Sequence, residues 1–137
     1  MTPMRLSLRA GEKIYVNGAV LRVTHKTSLE IMNDATFLLG QHVLQVDDAA
    51  TPLRQLYFIA QTMLMDPIHA PGCRLIFDES FAMLSNTVAD PEICHGLEQV
   101  RRLMDGGRIL DAMKTIRALW KVEDRILASA PARPDAA

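Results

Sequence analysis

Asp47-Asp48-Ala49-Ala50-Thr51-Pro52-Leu53-Arg54-Gln55-Leu56-Tyr57 is where the hydrophobic period of this chain changes, and that change decides its fold class. Before it, apolar residues alternate. Leu6, Leu8 and Ala10 interleave with Arg5, Ser7 and Arg9, and Ile14 and Val16 with Lys13 and Tyr15, the period of a half-buried strand. Asn17-Gly18 is a two-residue hairpin signal, and Leu21, Val23 and His25 then alternate with Arg22, Thr24 and Lys26. Shorter strands are expected over Leu29 to Met32 and Thr36 to Leu39, separated by Asn33-Asp34, and again at Val43, Leu44 and Val46 after Gly40-Gln41. After the change the spacing is helical. Thr51 is a capping residue and Pro52 suits the first helical position. The helix that follows is apolar nearly all round, from Leu53, Leu56, Tyr57, Ala60, Met63 and Leu64 to Phe58, Ile59 and Met65.

Three more helices are predicted. One follows Pro71-Gly72 with Ile76, Phe77, Phe81, Leu84 and Val88 inward. One opens at Asp90-Pro91-Glu92 with Ile93, Leu97, Val100 and Met104 inward. The last runs from about 108 to 127 with Ile109, Ala112, Met113, Ile116, Leu119, Trp120, Ile126 and Leu127 inward. The expected class is α+β: a small antiparallel β-sheet or sandwich over 1–47, a four-helix lobe over 48–128, and a disordered tail, 129–137, too poor in apolar groups to offset its ordering entropy.

The chain has 137 residues, 15 Lys and Arg against 16 Asp and Glu, and a formal net charge of −1. That balance excludes bulk electrostatic wrapping of nucleic acid but leaves room for a local patch. No apolar run reaches the ~20 residues of a spanning helix. The start is broken by charges, and Cys73 and Cys94 make no disulfide framework, so a reduced cytoplasmic protein is expected, with no membrane partner. No nucleophile elbow or phosphate-cradling glycine loop is present, so no enzyme is expected. His69, Cys73, Cys94 and His95 have a zinc-like count, but Pro71-Gly72 splits the first two and the adjacent pair diverges on a helix; neither metal nor cofactor is expected.

Two basic faces stand out. Lys114, Arg117, Lys121 and Arg125 fall within about 80° of a helix, opposite the apolar arc, with Asp124 a neighbouring counter-charge. Arg5, Arg9, Lys13, Tyr15, Arg22 and Lys26 share the outward parity of their strands, offset by Glu12 and Glu30. Cations interleaved with an aromatic suit single-stranded nucleic acid, where charge follows the backbone and a ring stacks on a base. Glu123 lies inside the apolar arc, where a carboxylate needs a partner; Arg54 is the expected one. Eight methionines, several on helices, suit an adaptable core or a dimer or partner interface.

Leu8-Arg-Ala-Gly-Glu-Lys-Ile-Tyr-Val-Asn-Gly-Ala-Val-Leu-Arg22 resembles the opening of the FlbT family of flagellum biosynthesis repressors. Thr51 to Gln61 is similar to the family's central motif, and Gly107 to Leu127 to its last helix, with Trp120 where the family pattern has tyrosine. The strand-rich start also shares a short likeness with the carbon storage regulator RNA-binding proteins. The FlbT resemblance implies a regulator acting after transcription, associating with the 5′ untranslated region of flagellin messenger RNA, lowering its translation and shortening its lifetime. Some relatives promote flagellin expression instead. A FlaF-like companion is an implied partner, and DNA is not. The competing reading is an interaction protein that touches no RNA and works through such a partner or the degradation machinery.

Overall fold

The computed structural model describes residues 4–16, 18–33 and 37–129. Five strands precede four α-helices, an α+β fold. The strands are β1 (Met4–Leu8), β2 (Lys13–Val16), β3 (Ala19–Arg22), β4 (Thr27–Ile31) and β5 (Phe37–Leu39). They form two antiparallel sheets, β1-β4 and β3-β2-β5. Gly18 takes φ +84° in the tight β2–β3 turn, which Val16 and Ala19 close as the last cross-strand pair. Asn17, Asp34, Thr36 and the tail from 130 onward, all assigned roles above, lie outside the described residues.

Of the five or six strands expected, five form, and the candidate at Val43, Leu44 and Val46 does not. A 3₁₀ turn, η1 (Gly40–His42), and a second, η2 (Val46–Asp48), stand there instead. The backbone between them finds a side chain rather than a strand. Leu44 N–H donates to Gln61 Oε1 at 2.6 Å, and Gln61 Nε2 donates to the Leu44 carbonyl at 2.9 Å. One amide group thus satisfies both backbone groups of Leu44, as a neighbouring strand would.

The helices are α1 (Pro52–Met65), α2 (Ala70–Thr87), α3 (Pro91–Asp105) and α4 (Ile109–Ser129). Thr51 Oγ1 accepts from Arg54 N–H, and Asp90 accepts from Glu92 and Ile93 N–H, capping α1 and α3. Pro71 lies in the first turn of α2, so that helix starts earlier than expected, after the 3₁₀ turn η3 (Pro67–His69). α4 continues through Ser129, the first residue of the expected tail.

The main core gathers Leu53, Leu56, Tyr57 and Ala60 of α1, Phe77 and Leu84 of α2, the inward row of α3, and Ala112, Met113, Ile116, Leu119 and Val122 of α4; Leu38 of β5 joins it. Leu8 and Ile14 are buried outside this cluster. A Cβ at position 96 would lie 2.6 Å from Leu119 Cδ1, so glycine there allows α3 and α4 to close. On the helices, three residues expected inside are exposed: Ile76 on α2, and Ile126 and Leu127 on the last turn of α4, where they border an open apolar groove with Leu53, Leu84 and Ile93; on β3, Leu21 of the apolar parity is exposed as well.

Glu123 is buried at the junction of α4 with the start of α1. Its Oε2 accepts the Leu53 N–H at 2.9 Å, one of the donors a helix N-terminus leaves unpaired. Its Oε1 lies 3.5 Å from Arg54 Nη1. Arg54 makes its shorter contacts with Asp124, at 2.8 and 3.0 Å in a two-pronged pair, and those contacts hold the Asp124 carboxyl below its usual range. The guanidinium lies 4.8 Å over the Trp120 ring, Trp120 meets Tyr57 edge-on, and the Tyr57 hydroxyl donates to the His42 carbonyl at 2.7 Å. Glu123→Ala is expected to cost about 1–3 kcal/mol, because it leaves the buried Leu53 N–H without its acceptor while Arg54 keeps Asp124. Asp124→Ala should cost far less, since that carboxylate is exposed. Thermal and urea unfolding of both variants, with Arg54→Ala completing a double-mutant cycle, checks this; strict additivity of Arg54→Ala and Glu123→Ala would show that the helix terminus alone holds Glu123.

Candidate nucleic-acid interface

The two basic faces are built differently. On α4 the 3.6 period buries Ala112, Met113, Ile116 and Leu119 and turns Lys114 and Lys121 to solvent, with Arg117 half-buried. Arg125 is also exposed but lies 3.7 Å from Glu92. Among the described residues, Lys114, Arg117 and Lys121 have no ion-pair partner, so their charge is available to a ligand.

The strand face divides into three. Arg5 sits opposite Glu30 in the β1–β4 ladder and its guanidinium meets that carboxylate at 3.0 Å. Arg9 and Lys26 line one cleft of about 560 Å³ together with Ser7, Ala10, Glu12 and Gln41. Glu12 is occupied there by the Arg9 backbone N–H. Lys13 pairs with Arg22 across β2–β3, which sets both on one face of the sheet. Tyr15 shares that face with Leu38, its cross-strand neighbour on β5. Because Leu38 belongs to the helical core, Tyr15 is half-buried against it. It packs, and does not stand free as a stacking ring.

The three-residue turn η1 connects these pieces, and nothing in the hydrophobic pattern singled it out. Gly40 presses on β2: a Cβ there would lie 2.9 Å from the Lys13 carbonyl oxygen. Gln41 forms one wall of the Arg9–Lys26 cleft. His42 faces α4, where burial first, then the nearby positive charges of Arg117 and Lys114, hold its imidazole below the usual histidine range. His42 and Lys114 also border a smaller, mainly apolar pocket with Met4, Leu6 and Leu110. Arg9 and Lys26 thus share a cleft with Gln41, the backbone and Cβ of Lys13 lie against Gly40, and Lys114 and Arg117 lie near His42, so three sets of basic residues border one turn. Arg5 and Arg125 are already paired, and Arg54 and Glu123 serve the α1–α4 junction.

The other groups weighed from the sequence are not gathered. His69 pairs with Asp66, and the Cys94 thiol points to the Val88 carbonyl. Among the described residues no three His, Cys, Asp or Glu side chains could hold a metal together, and no helix is long and apolar enough to cross a membrane.

Residues 4–127 match the family described as flagellar protein FlbT. A relative from Chelativorans sp. (strain BNC1) is 52% identical over 125 residues, 91% of this chain and 86% of its own length. One from Mesorhizobium japonicum is 48% identical over 124 residues, covering 90% and 84%, and one from Brucella ovis 48% over 130 residues, covering 95% and 86%. All three carry the name "Probable flagellum biosynthesis repressor protein FlbT". No solved structure matches the chain. With nearly the whole described chain matched, and with half its residues shared with relatives, the protein belongs to the FlbT family of flagellar proteins.

Proposed function

We propose that this protein is a cytoplasmic, non-enzymatic regulator of flagellin synthesis that binds the 5′ untranslated region of flagellin messenger RNA, lowers its translation and promotes its decay. The convergence of Arg9, Lys13, Lys26, Lys114 and Arg117 on η1 carries the reading. The relatives' name, probable flagellum biosynthesis repressor, supports a role in flagellum assembly. Contacts of this kind are to phosphates, which position a strand. The half-buried Tyr15 contributes packing, so specificity would come from bases entering the Arg9–Lys26 cleft, where Gln41 and Ser7 offer polar groups.

Four to six phosphate contacts on single-stranded RNA give a log–log salt slope of about −3 to −4, so affinity should fall on the order of 10²-fold between 50 and 200 mM salt. Lys114→Ala with Arg117→Ala should weaken binding of purified protein to leader RNA more than Arg5→Ala with Arg125→Ala, whose side chains are already paired. A flat salt response, or equal effects of the two pairs, would exclude the η1 surface. Binding seen only after a FlaF-like partner is added would assign the RNA contact to that partner.

His42 reports on the same surface. Burial and the charges of Arg117 and Lys114 make its imidazole take up a proton at a lower pH in the fold than in the unfolded chain, which does so near pH 6.5. The unfolded state thus binds more protons once the pH falls below about 6.5, and stability declines from there towards the lower folded value. RNA phosphates beside Lys114 and Arg117 should raise the His42 pKa, visible as a shifted NMR titration. Lys114→Ala should raise it without RNA.

A further inference from the structure

α2 presents apolar groups on two opposite faces. Phe77 and Leu84 enter the core, while Leu75, Ile76 and Met83 remain 68%, 55% and 71% exposed, continued by Ile68 of η3 at 86%. Gly72 and Glu79 lie on the same outer stripe, with open space where a Cβ at Gly72 would be. The stripe runs about 22 Å, a length scale at which two helices can pack.

We infer that this face is a self-complementary dimer interface in which α2 packs antiparallel on α2 of a second copy. The spacing of the stripe carries the inference. A two-fold axis crossing the helix between Leu75 and Ile76 sets Leu75 against the partner's Ile76, Ile68 against the partner's Met83, and Gly72 against the partner's Glu79. Each large side chain meets another large one, and the glycine falls where a long side chain must pass, the residue-for-residue match a two-fold interface requires.

Charge completes the fit. α2 begins without a side-chain cap and without an acidic residue in its first turn; the Ala70 N–H donates to the Pro67 carbonyl and Pro71 has no N–H, so the positive end of the helix dipole near Gly72 is what a carboxylate would meet. Arg74 is occupied by Asp78 and Asp105, and Glu79 has no ion-pair partner among the described residues. In the antiparallel arrangement Glu79 reaches across Gly72 to the first turn of the partner helix, and the symmetry supplies the same contact twice. An interface of one helix pair lies at the small end of specific complexes, with micromolar dissociation. The η1 surface uses none of these residues, so the two assignments stand or fall separately.

Sedimentation of the full chain is expected to show a mass near 15.3 kDa at low concentration and twice that by about 100 µM. Leu75→Glu with Ile76→Glu should abolish the dimer while leaving circular dichroism and melting of the monomer unchanged, because both side chains are exposed. Glu79→Ala should raise the dissociation constant roughly 3- to 30-fold, from two equivalent helix-terminus contacts. Disulfide trapping fixes the register. With Cys73 and Cys94 replaced by alanine, the chain carrying both Ile68→Cys and Met83→Cys should form covalent dimers, whereas neither single variant should, since like positions lie about 20 Å apart. A chain that stays monomeric at about 100 µM, a dimer that survives the double glutamate substitution, or trapping by a single cysteine variant overturns the inference; the first outcome would leave the face to a different protein.

Discussion

The carboxylate of Glu123 holds the start of one helix against the end of another seventy residues away in sequence. Placed in an apolar arc it would be costly to bury, and it is buried because α1 begins there with an unpaired N–H on Leu53 and a guanidinium on Arg54. The same guanidinium spreads the constraint outward, over the face of Trp120 and so to Tyr57, whose hydroxyl reaches the His42 carbonyl. The position of η1 relative to α4 is thereby tied to the α1–α4 junction. If that junction were packed with carbon alone, helices of this kind could slide by a turn at little cost. The directed contacts at Leu53 and Arg54 fix one register, and the cationic convergence at η1 depends on it.

The α+β division was legible because the change of hydrophobic period coincides with chemistry that acts locally. Thr51 caps the helix it precedes, Asp90 does the same for α3, and both are followed by proline. The inward row Ile93, Leu97, Val100 and Met104 was legible for the same reason, as α3 has one covered face. The missing sixth strand was not. Val43, Leu44 and Val46 alternate as a strand does, but their backbone is claimed by Gln61, seventeen residues on from Leu44, and no local pattern encodes that.

The candidate site was half legible. The periods assigned the cations of α4 and the strands to faces, and those faces exist. Parity failed for Tyr15 because the β2–β5 pair is covered on both sides: Ile14 is buried on one and Leu38 on the other, so alternation there no longer separates inside from outside. Pairing with Glu30 and Glu92 removed Arg5 and Arg125, a matter of tertiary neighbours. Ile76 was assigned to the core because apolar spacing alone does not say which apolar face of α2 the rest of the chain covers.

The turn that gathers the cations also sets where the chain tolerates a change of length. Gly40 is pressed against the Lys13 carbonyl, His42 is held through its own carbonyl, and Leu44 is held at both backbone groups. One residue inserted between 40 and 44 would break at least one of these attachments and rotate the rest. From Gln45 to Ala50 most residues are exposed, and added length there costs only slowly growing loop entropy. Homologues of different length should therefore carry their insertions after Leu44, and divergence in this family would lengthen the approach to α1 while keeping the five residues before it at constant spacing.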